Sequence, residues 1–298
     1  MTVGIEIEAV GENYDEIPDE LRGWEGKSDY SIGNKGKEYA SPIMRNRKED
    51  VKEVYRINEI LKAFGMNVTP QCGAHVHIGA DYITGEEGFK QLVELWGNAE
   101  EIYYLISNKE GELPRKGIEQ FAKPISYELG EIELEKIPKD RFILVAKGMV
   151  RRSRYRSLNL LGVNNARNTI EFRLSNGTLD ANVWIENIRL YGRTIEKAEE
   201  LGKIVEKLER GEELTKEEKT TYTLKEMLKE KIPLDAKMDI LMQILFDEEE
   251  RKVYYERYRK NKELDKQNHV IEGMKFKKVD FKKGYKGKEK QEESKEER

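Results

Sequence analysis

The chain has 298 residues, 38% of them charged, and a net charge of −4. That length can bury a substantial core and suits one large domain or two small ones, while the near balance of charge gives no general pull toward nucleic acid. Its one cysteine, Cys72, excludes an internal disulfide and a thiolate zinc site, and with no bilayer-length apolar run and no leader-like N-terminus, a cytoplasmic protein without membrane attachment is expected.

Residues 3–9 alternate, with Val3, Ile5 and Ile7 on one face and Gly4, Glu6 and Glu8 on the other. A loop rich in Gly, Asp and Pro follows to about residue 27. Residues 28–43 suit a hairpin turned at Asn34-Lys35-Gly36, and Pro42 places the end of its second arm at a sheet edge. Residues 48–65 read as a helix stopped at Gly65. The next strand, 73–79, sets Ala74, Val76 and Ile78 against Gly73, His75, His77 and Gly79. Helices are expected over 86–108 and near 139–150, with a Gly- and Pro-containing connection between them. Residues 154–161 read as a strand with Leu158 and Leu160 opposite Tyr155, Ser157 and Asn159. In residues 169–174, Ile170, Phe172 and Leu174 face one way and Thr169, Glu171 and Arg173 the other. Residues 181–209, 215–230 and 235–260 read as three helical segments. From about residue 262 the chain is nearly all Lys, Glu, Gly and Gln, which predicts a charged, disordered tail. Its basic stretch, 275–290, leaves open a nucleic-acid or acidic partner, although solubilisation alone accounts for it.

Four strands with one polar face each can pool those faces in a single sheet. The shared face would hold Glu6, Glu8, His75, His77, Asn159, Glu171 and Arg173, with Glu38 and Asp29 reaching in from the hairpin. Carboxylates gathered this way repel one another unless cations intervene. Oxygen donors with an imidazole suit Mg²⁺ or Mn²⁺ better than zinc. Gly4, Gly73 and Gly79 would leave room for a large ligand, and Arg151, Arg152, Arg154 and Arg156 lie just upstream of the fourth strand. Guanidinium groups beside a multi-carboxylate metal site suit a polyphosphate. Each feature alone has a plainer reading: Glu171 and Arg173 as an ordinary ion pair on a half-exposed strand, the arginines as solvated surface. If Glu171 is a metal ligand, Glu171→Gln should let the remaining carboxylates repel less and leave the metal-free protein no less stable.

The runs Gly4-Ile5-Glu6-Ile7-Glu8, Gly36-Lys37-Glu38-Tyr39-Ala40-Ser41-Pro42, Cys72-Gly73-Ala74-His75-Val76-His77-Ile78-Gly79, Arg154-Tyr155 through Leu158-Asn159-Leu160, and Thr169-Ile170-Glu171-Phe172-Arg173 resemble the ordered motifs of the amidoligase family. That family falls in the carboxylate–amine ligase superfamily of glutamine synthetase and glutamate–cysteine ligase. The resemblance covers roughly residues 1–200. It implies an α+β fold: a curved, mainly antiparallel half-barrel sheet of glutamine synthetase type with helices packed on its outer face. Together with the helical segments and charged composition that follow, it suggests a catalytic domain over 1–210, a C-terminal helical extension over 211–261 packed on it, and the tail over 262–298. It implies ATP and Mg²⁺ (or Mn²⁺), with Glu6, Glu8, Glu38, His75 and Glu171 as metal ligands. Arg173 and Arg154 would hold phosphate groups, making them with Glu171 the catalytic set. His77 and Asn159 would line the nucleotide or acyl-phosphate region.

The expected reaction is an ATP-dependent ligation of a carboxylate to an amine, on a small-molecule or peptide substrate, with loop 109–138 or 11–27 shielding the acyl phosphate from water. A guanidino kinase, a metal-dependent phosphohydrolase and a non-enzymatic peptide-binding protein are the alternatives.

Overall fold

The computed structural model describes residues 1–18, 20–45, 47–129, 141–150 and 155–281. Seven strands form one sheet: β1 (Val3–Val10), β2 (Glu20–Leu21), β3 (Trp24–Ser28), β4 (Gly36–Ala40), β5 (Gly73–Gly79), β6 (Leu158–Asn159) and β7 (Thr169–Asn176). Their spatial order is β2-β3-β4-β1-β5-β7-β6, and every neighbouring pair is antiparallel. β1 therefore sits near the middle of the sheet, with Glu6 opposite His75 on one side and Glu8 opposite Glu38 on the other.

The alternation places the apolar halves of these strands as expected. Val3, Ile5 and Ile7 of β1, Ala74, Val76 and Ile78 of β5, and Ile170, Phe172 and Leu174 of β7 are all buried. Two long helices cover that face, α2 (Glu86–Ile106) and α5 (Ala181–Glu209), with α1 (Lys48–Ala63) beside α5. Trp96 of α2 lies 5.1 Å from the ring of Phe172, and Tyr191 of α5 stacks on Phe172 at 4.4 Å. Such ring pairs add about 0.5–1.5 kcal/mol each beyond their buried area. The start of α5 is set by Asp180, whose carboxylate accepts from the Asn182 amide at 3.1 Å.

Against this pair pack α3 (Ile125–Leu129), α4 (Phe142–Val150), α6 (Lys216–Met227), α7 (Leu234–Leu245) and α8 (Lys252–Asn268). The expected helix over 235–260 is thus two helices. Phe246 is extended (φ −140°, ψ 154°) and its carbonyl accepts from Arg251 Nε at 2.8 Å, so a polar side chain closes the break. The strand expected over 154–161 shrinks to two residues. Just before it, Lys123 pairs with the chain: its amide donates to the Tyr155 carbonyl at 3.0 Å and its carbonyl accepts from Ser157 at 2.8 Å. Ser157 consequently turns into the core, where its Oγ accepts from Trp96 Nε1 at 3.1 Å. The first arm of the hairpin is also earlier than expected, at Trp24–Ser28 inside the stretch read as a loop.

The tail expected from residue 262 begins inside α8, and the chain stays packed to Phe281. His269 ends α8 in the left-handed region (φ 53°), and Asp265 accepts from the Ile271 and Glu272 amides at 2.8 and 3.1 Å. Ile271 and Val279 are buried, and Val279 exchanges two hydrogen bonds with Asn98 of α2, at 2.7 and 3.1 Å. Glu94 of α2, 1% exposed, accepts from the Phe281 amide at 2.7 Å and pairs with Lys225 and Lys229 of the α6 region. A buried carboxylate needs such partners. The tail from residue 282 onward lies outside the described residues.

Candidate active site

The face of the sheet opposite the helices gathers the predicted polar residues. Glu6 lies between both histidines: Oε2 is 3.0 Å from His75 Nδ1 and Oε1 is 3.2 Å from His77 Nε2. His75 Nδ1 is also 3.9 Å from Glu171 Oε1. Its other nitrogen, Nε2, is buried without a hydrogen-bond partner and stands 3.8 Å from Glu8 Oε1. One imidazole therefore joins two carboxylate groups. The ligand atoms of Glu6, His75 and Glu171 all lie within 4.8 Å of one another, and so do those of Glu8, Glu38 and His75. Atoms bound to one cation at about 2.0–2.6 Å stand roughly 3–5 Å apart. The spacing, the oxygen-rich donors and the orphaned His75 Nε2 fit Mg²⁺ or Mn²⁺.

The electrostatics correct one expectation. The metal-free carboxylates are not simply in mutual repulsion. Burial pushes the Glu6 carboxyl up, but the hydrogen bonds and charges of His75 and His77 outweigh it and hold it well below the usual range. Glu171 is likewise raised by burial and lowered more strongly by Arg173 and the histidines. Arg173 Nη1 pairs with Glu171 Oε1, and Asn159 Nδ2 donates to Glu171 Oε2 at 2.6 Å. Glu38 behaves as crowding predicts: burial, then the Glu6 charge, raises its carboxyl. His77 is lowered by burial and raised by more through Glu6, so its net shift is upward. Removing the Glu171 charge thus breaks a satisfied contact rather than relieving strain.

Asp29 does not join either group. Its Oδ1 accepts from Ser31 N and Oγ at 2.9 and 2.7 Å and shapes the turn. Arg151, Arg152 and Arg154 lie outside the described residues, while Arg156 is buried beside Lys123. Of the three glycines expected to make room, only Gly4 does: a Cβ there would come no closer than 3.8 Å to any atom. The space over Gly79 is filled by Thr2. The space over Gly73 is filled by Arg115, whose Nη1 and Nη2 would lie 2.8 and 2.9 Å from an added Cβ.

Arg115 is the site residue the sequence pattern missed. It comes from the connection after α2, where no periodicity marks it. The segment is fixed from β7: Asn176 Oδ1 accepts from the Arg115 amide and Asn176 Nδ2 donates to the Leu113 carbonyl, both at 2.8 Å. The guanidinium lies 4.0 Å from Glu8 Oε2 and 4.9 Å from the centre of the Phe121 ring. Phe121 meets Tyr155 edge-on at 6.3 Å, and Tyr155 lies 5.8 Å from the Arg173 guanidinium. A wall of two aromatics and two arginines thus bounds the metal-like cluster on one side.

An antiparallel sheet whose polar face carries two carboxylate groups joined at a histidine, beside a strand-borne arginine, has the equipment of an enzyme that handles highly charged reactants. The chain belongs to the putative amidoligase enzyme family, whose model matches residues 33–195. The match takes in Glu38, His75, His77, Arg115, Asn159, Glu171 and Arg173; Glu6 and Glu8 precede it and reach the site through β1. Comparison with curated proteins gives no match. Among the described residues no helix is long and apolar enough to cross a membrane.

Proposed function

We propose that the protein is an ATP-dependent carboxylate–amine ligase using Mg²⁺ or Mn²⁺, which forms an amide or isopeptide bond through an acyl phosphate on a half-barrel of glutamine synthetase type. The observation that carries the reading is the pair of carboxylate groups sharing His75, with Arg173 beside them on the strand of Glu171; membership of an amidoligase family supports amide formation. Glu6, Glu8, Glu38, His75 and Glu171 would hold the cations, which supply positive charge to phosphate oxygens. Arg173 can present two parallel N–H donors to a phosphoryl group. Arg154, matched by motif, is assigned a second phosphate contact, and His77 and Asn159 the edge of the acyl-phosphate region.

In the proposed reaction an oxygen of the acid substrate's carboxylate attacks the terminal phosphorus of ATP, and ADP leaves with the bridging oxygen. The amine nitrogen then attacks the acyl carbon, the C–O bond to phosphate breaks, and inorganic phosphate leaves with the proton the nitrogen gives up. Phe121 and Tyr155 give the segment around 113–123 an apolar surface against water, which favours the 109–138 connection as the shield. The acid and amine are small molecules or peptides, in the cytoplasm. The test is ADP release from ATP and Mg²⁺ across a panel of amino acids and peptides. The ligase reading requires release only with acid and amine together. Release without amine supports a phosphohydrolase, a phosphorylated guanidine product supports the kinase, and no release with no effect of Mn²⁺ on melting supports a binding protein.

A further inference from the structure

Arg115 has more hydrogen-bonding capacity than the protein uses. A guanidinium offers five N–H donors. Arg115, its side chain 4% exposed, makes one side-chain hydrogen bond, from Nη1 to the Gln71 carbonyl at 2.7 Å. Nε is buried with no partner, and the side chain's contacts with described residues run through Nη1, leaving Nη2 without an acceptor among them. A buried donor left unpaired costs about 1–3 kcal/mol, and more when charged. An arginine kept only to hold the loop would point these donors at carbonyls. Here the free ones are adjacent, on the Nε–Nη2 edge, which matches the two oxygens of a carboxylate or phosphoryl group.

The nearest carboxylate leaves that edge open: Glu8 Oε2 stands 4.0 Å from Nη1, beyond hydrogen-bonding distance. Arg173 brings a second guanidinium to this wall, 5.8 Å from the Tyr155 ring that Phe121 meets edge-on. The backbone of residues 113–115 is pinned by Asn176, and Gly73 leaves the guanidinium its place. Phe121, 39% exposed after the single 3₁₀ turn Ile118–Gln120, is the side chain that covers it.

We propose that Arg115 is an oxyanion-binding residue of this site, taking a carboxylate or phosphoryl group on its Nε–Nη2 edge beside the Glu8–Glu38–His75 group. The inference deepens the ligase reading and rests on it for the nature of the anion. Its test separates the two. Crystals of the wild-type protein are soaked in selenate, and phosphate and glutarate are titrated calorimetrically into wild type and Arg115→Lys, with and without Mn²⁺. An anomalous selenium peak within hydrogen-bonding distance of Arg115 Nε and Nη2 is expected. Arg115→Lys keeps the charge but loses the fork, so at least one anion should weaken by about tenfold or more. Loss confined to phosphate assigns the subsite to the nucleotide side, and loss confined to glutarate assigns it to the acid substrate. Anion affinities unchanged by Arg115→Lys, or no selenium at Arg115, overturn the proposal; if the variant does not fold, the selenate soak decides. Mn²⁺ binding to the wild type, read by electron paramagnetic resonance, is independent: its absence sinks the metal-dependent ligase while the anion result at Arg115 still stands or falls alone.

Discussion

Replacing Glu171 with Gln separates a catalytic carboxylate from an ordinary ion pair. The side chain is 12% exposed, pairs with Arg173 Nη1 through Oε1 and accepts from Asn159 Nδ2 through Oε2. A glutamine there has one oxygen and one NH₂, so it can satisfy only one of those two donors and faces the other with a donor of its own. Losing one charge-assisted hydrogen bond in a mostly buried site costs about 1.5–3 kcal/mol. For a protein of this size that lowers Tm by roughly 2–4 °C per kcal/mol. The metal-free variant should therefore melt several degrees below wild type. Mn²⁺ at a hundredfold its Kd stabilises a one-site protein by about 2.7 kcal/mol, and that gain should shrink or vanish in Glu171→Gln. Activity should fall by about 10²–10³, the usual effect of removing one preorganised electrostatic contact. The assays are scanning calorimetry with and without Mn²⁺, and ADP release with an active acid–amine pair. A variant with lowered Tm, full activity and an undiminished Mn²⁺ effect would refute the metal-ligand role and leave a structural ion pair.

Arg173→Lys should lose activity as severely with less change in Tm, since a point charge still pairs with Glu171 but cannot fork onto phosphate; equal activity would remove Arg173 from the chemistry. In metal-free protein, Glu6→Gln should destabilise most between about pH 4.5 and 6.5. The depressed Glu6 carboxyl contributes stability above its ordinary 4.5 that is lost as pH falls, and the raised His77 contributes below its ordinary 6.5 and loses it as pH rises through its folded value. A Tm difference between the two proteins that is constant from pH 3.5 to 9 would contradict the Glu6–His77 coupling. Truncation after Lys262 strips Val279 and the Phe281 amide from α2, removes the buried Ile271 and should lower Tm steeply, whereas a chain ending at Phe281 retains those contacts; equal Tm for both chains would show the packed segment contributes nothing. Lys225→Met leaves Glu94 with Lys229 as its one remaining lysine partner and should cost about 3–5 kcal/mol, the usual penalty for breaking a buried pair, read as the shift in urea midpoint.

The sheet was legible because burial on one face forces a period of two. Glu6, Glu8, His75, His77, Glu171 and Arg173 follow directly from the phase of Val3, Val76 and Phe172. α5 matches residues 181–209 because Asp180 caps its start and Gly211 follows its end. What escaped is what a distant partner decides. Arg115 is fixed by Asn176, 61 residues on, and the seven residues around it show no repeat. Ser157 leaves the polar phase because Lys123 pairs ahead of β6. Residues 269–281 look too polar to fold, yet their backbone amides are held by Glu94 and Asn98, and an amide carries no signature in sequence. The expected repulsion failed for a different reason: His75, His77 and Arg173 are legible on the same face, but counting the carboxylates alone leaves out the histidines, which reach Glu6 across the sheet, and Arg173, which meets Glu171 on β7 itself.

The buried Glu94 also fixes an order of events during synthesis. Its partners Lys225 and Phe281 lie 131 and 187 residues downstream. At about 5–20 residues per second, roughly ten to forty seconds separate the making of this carboxylate from the arrival of its last partner. Until then, burying it would leave an uncompensated charge in the core, so α2 must keep that face in water. β1, β4, β5 and β7 can pair earlier, when residue 176 has emerged. Residues 3–176 can thus lay out the polar face of the sheet before the layer behind it closes. The cell has an incomplete chain to protect during that interval, with the apolar stripe of α2 exposed alongside its waiting carboxylate.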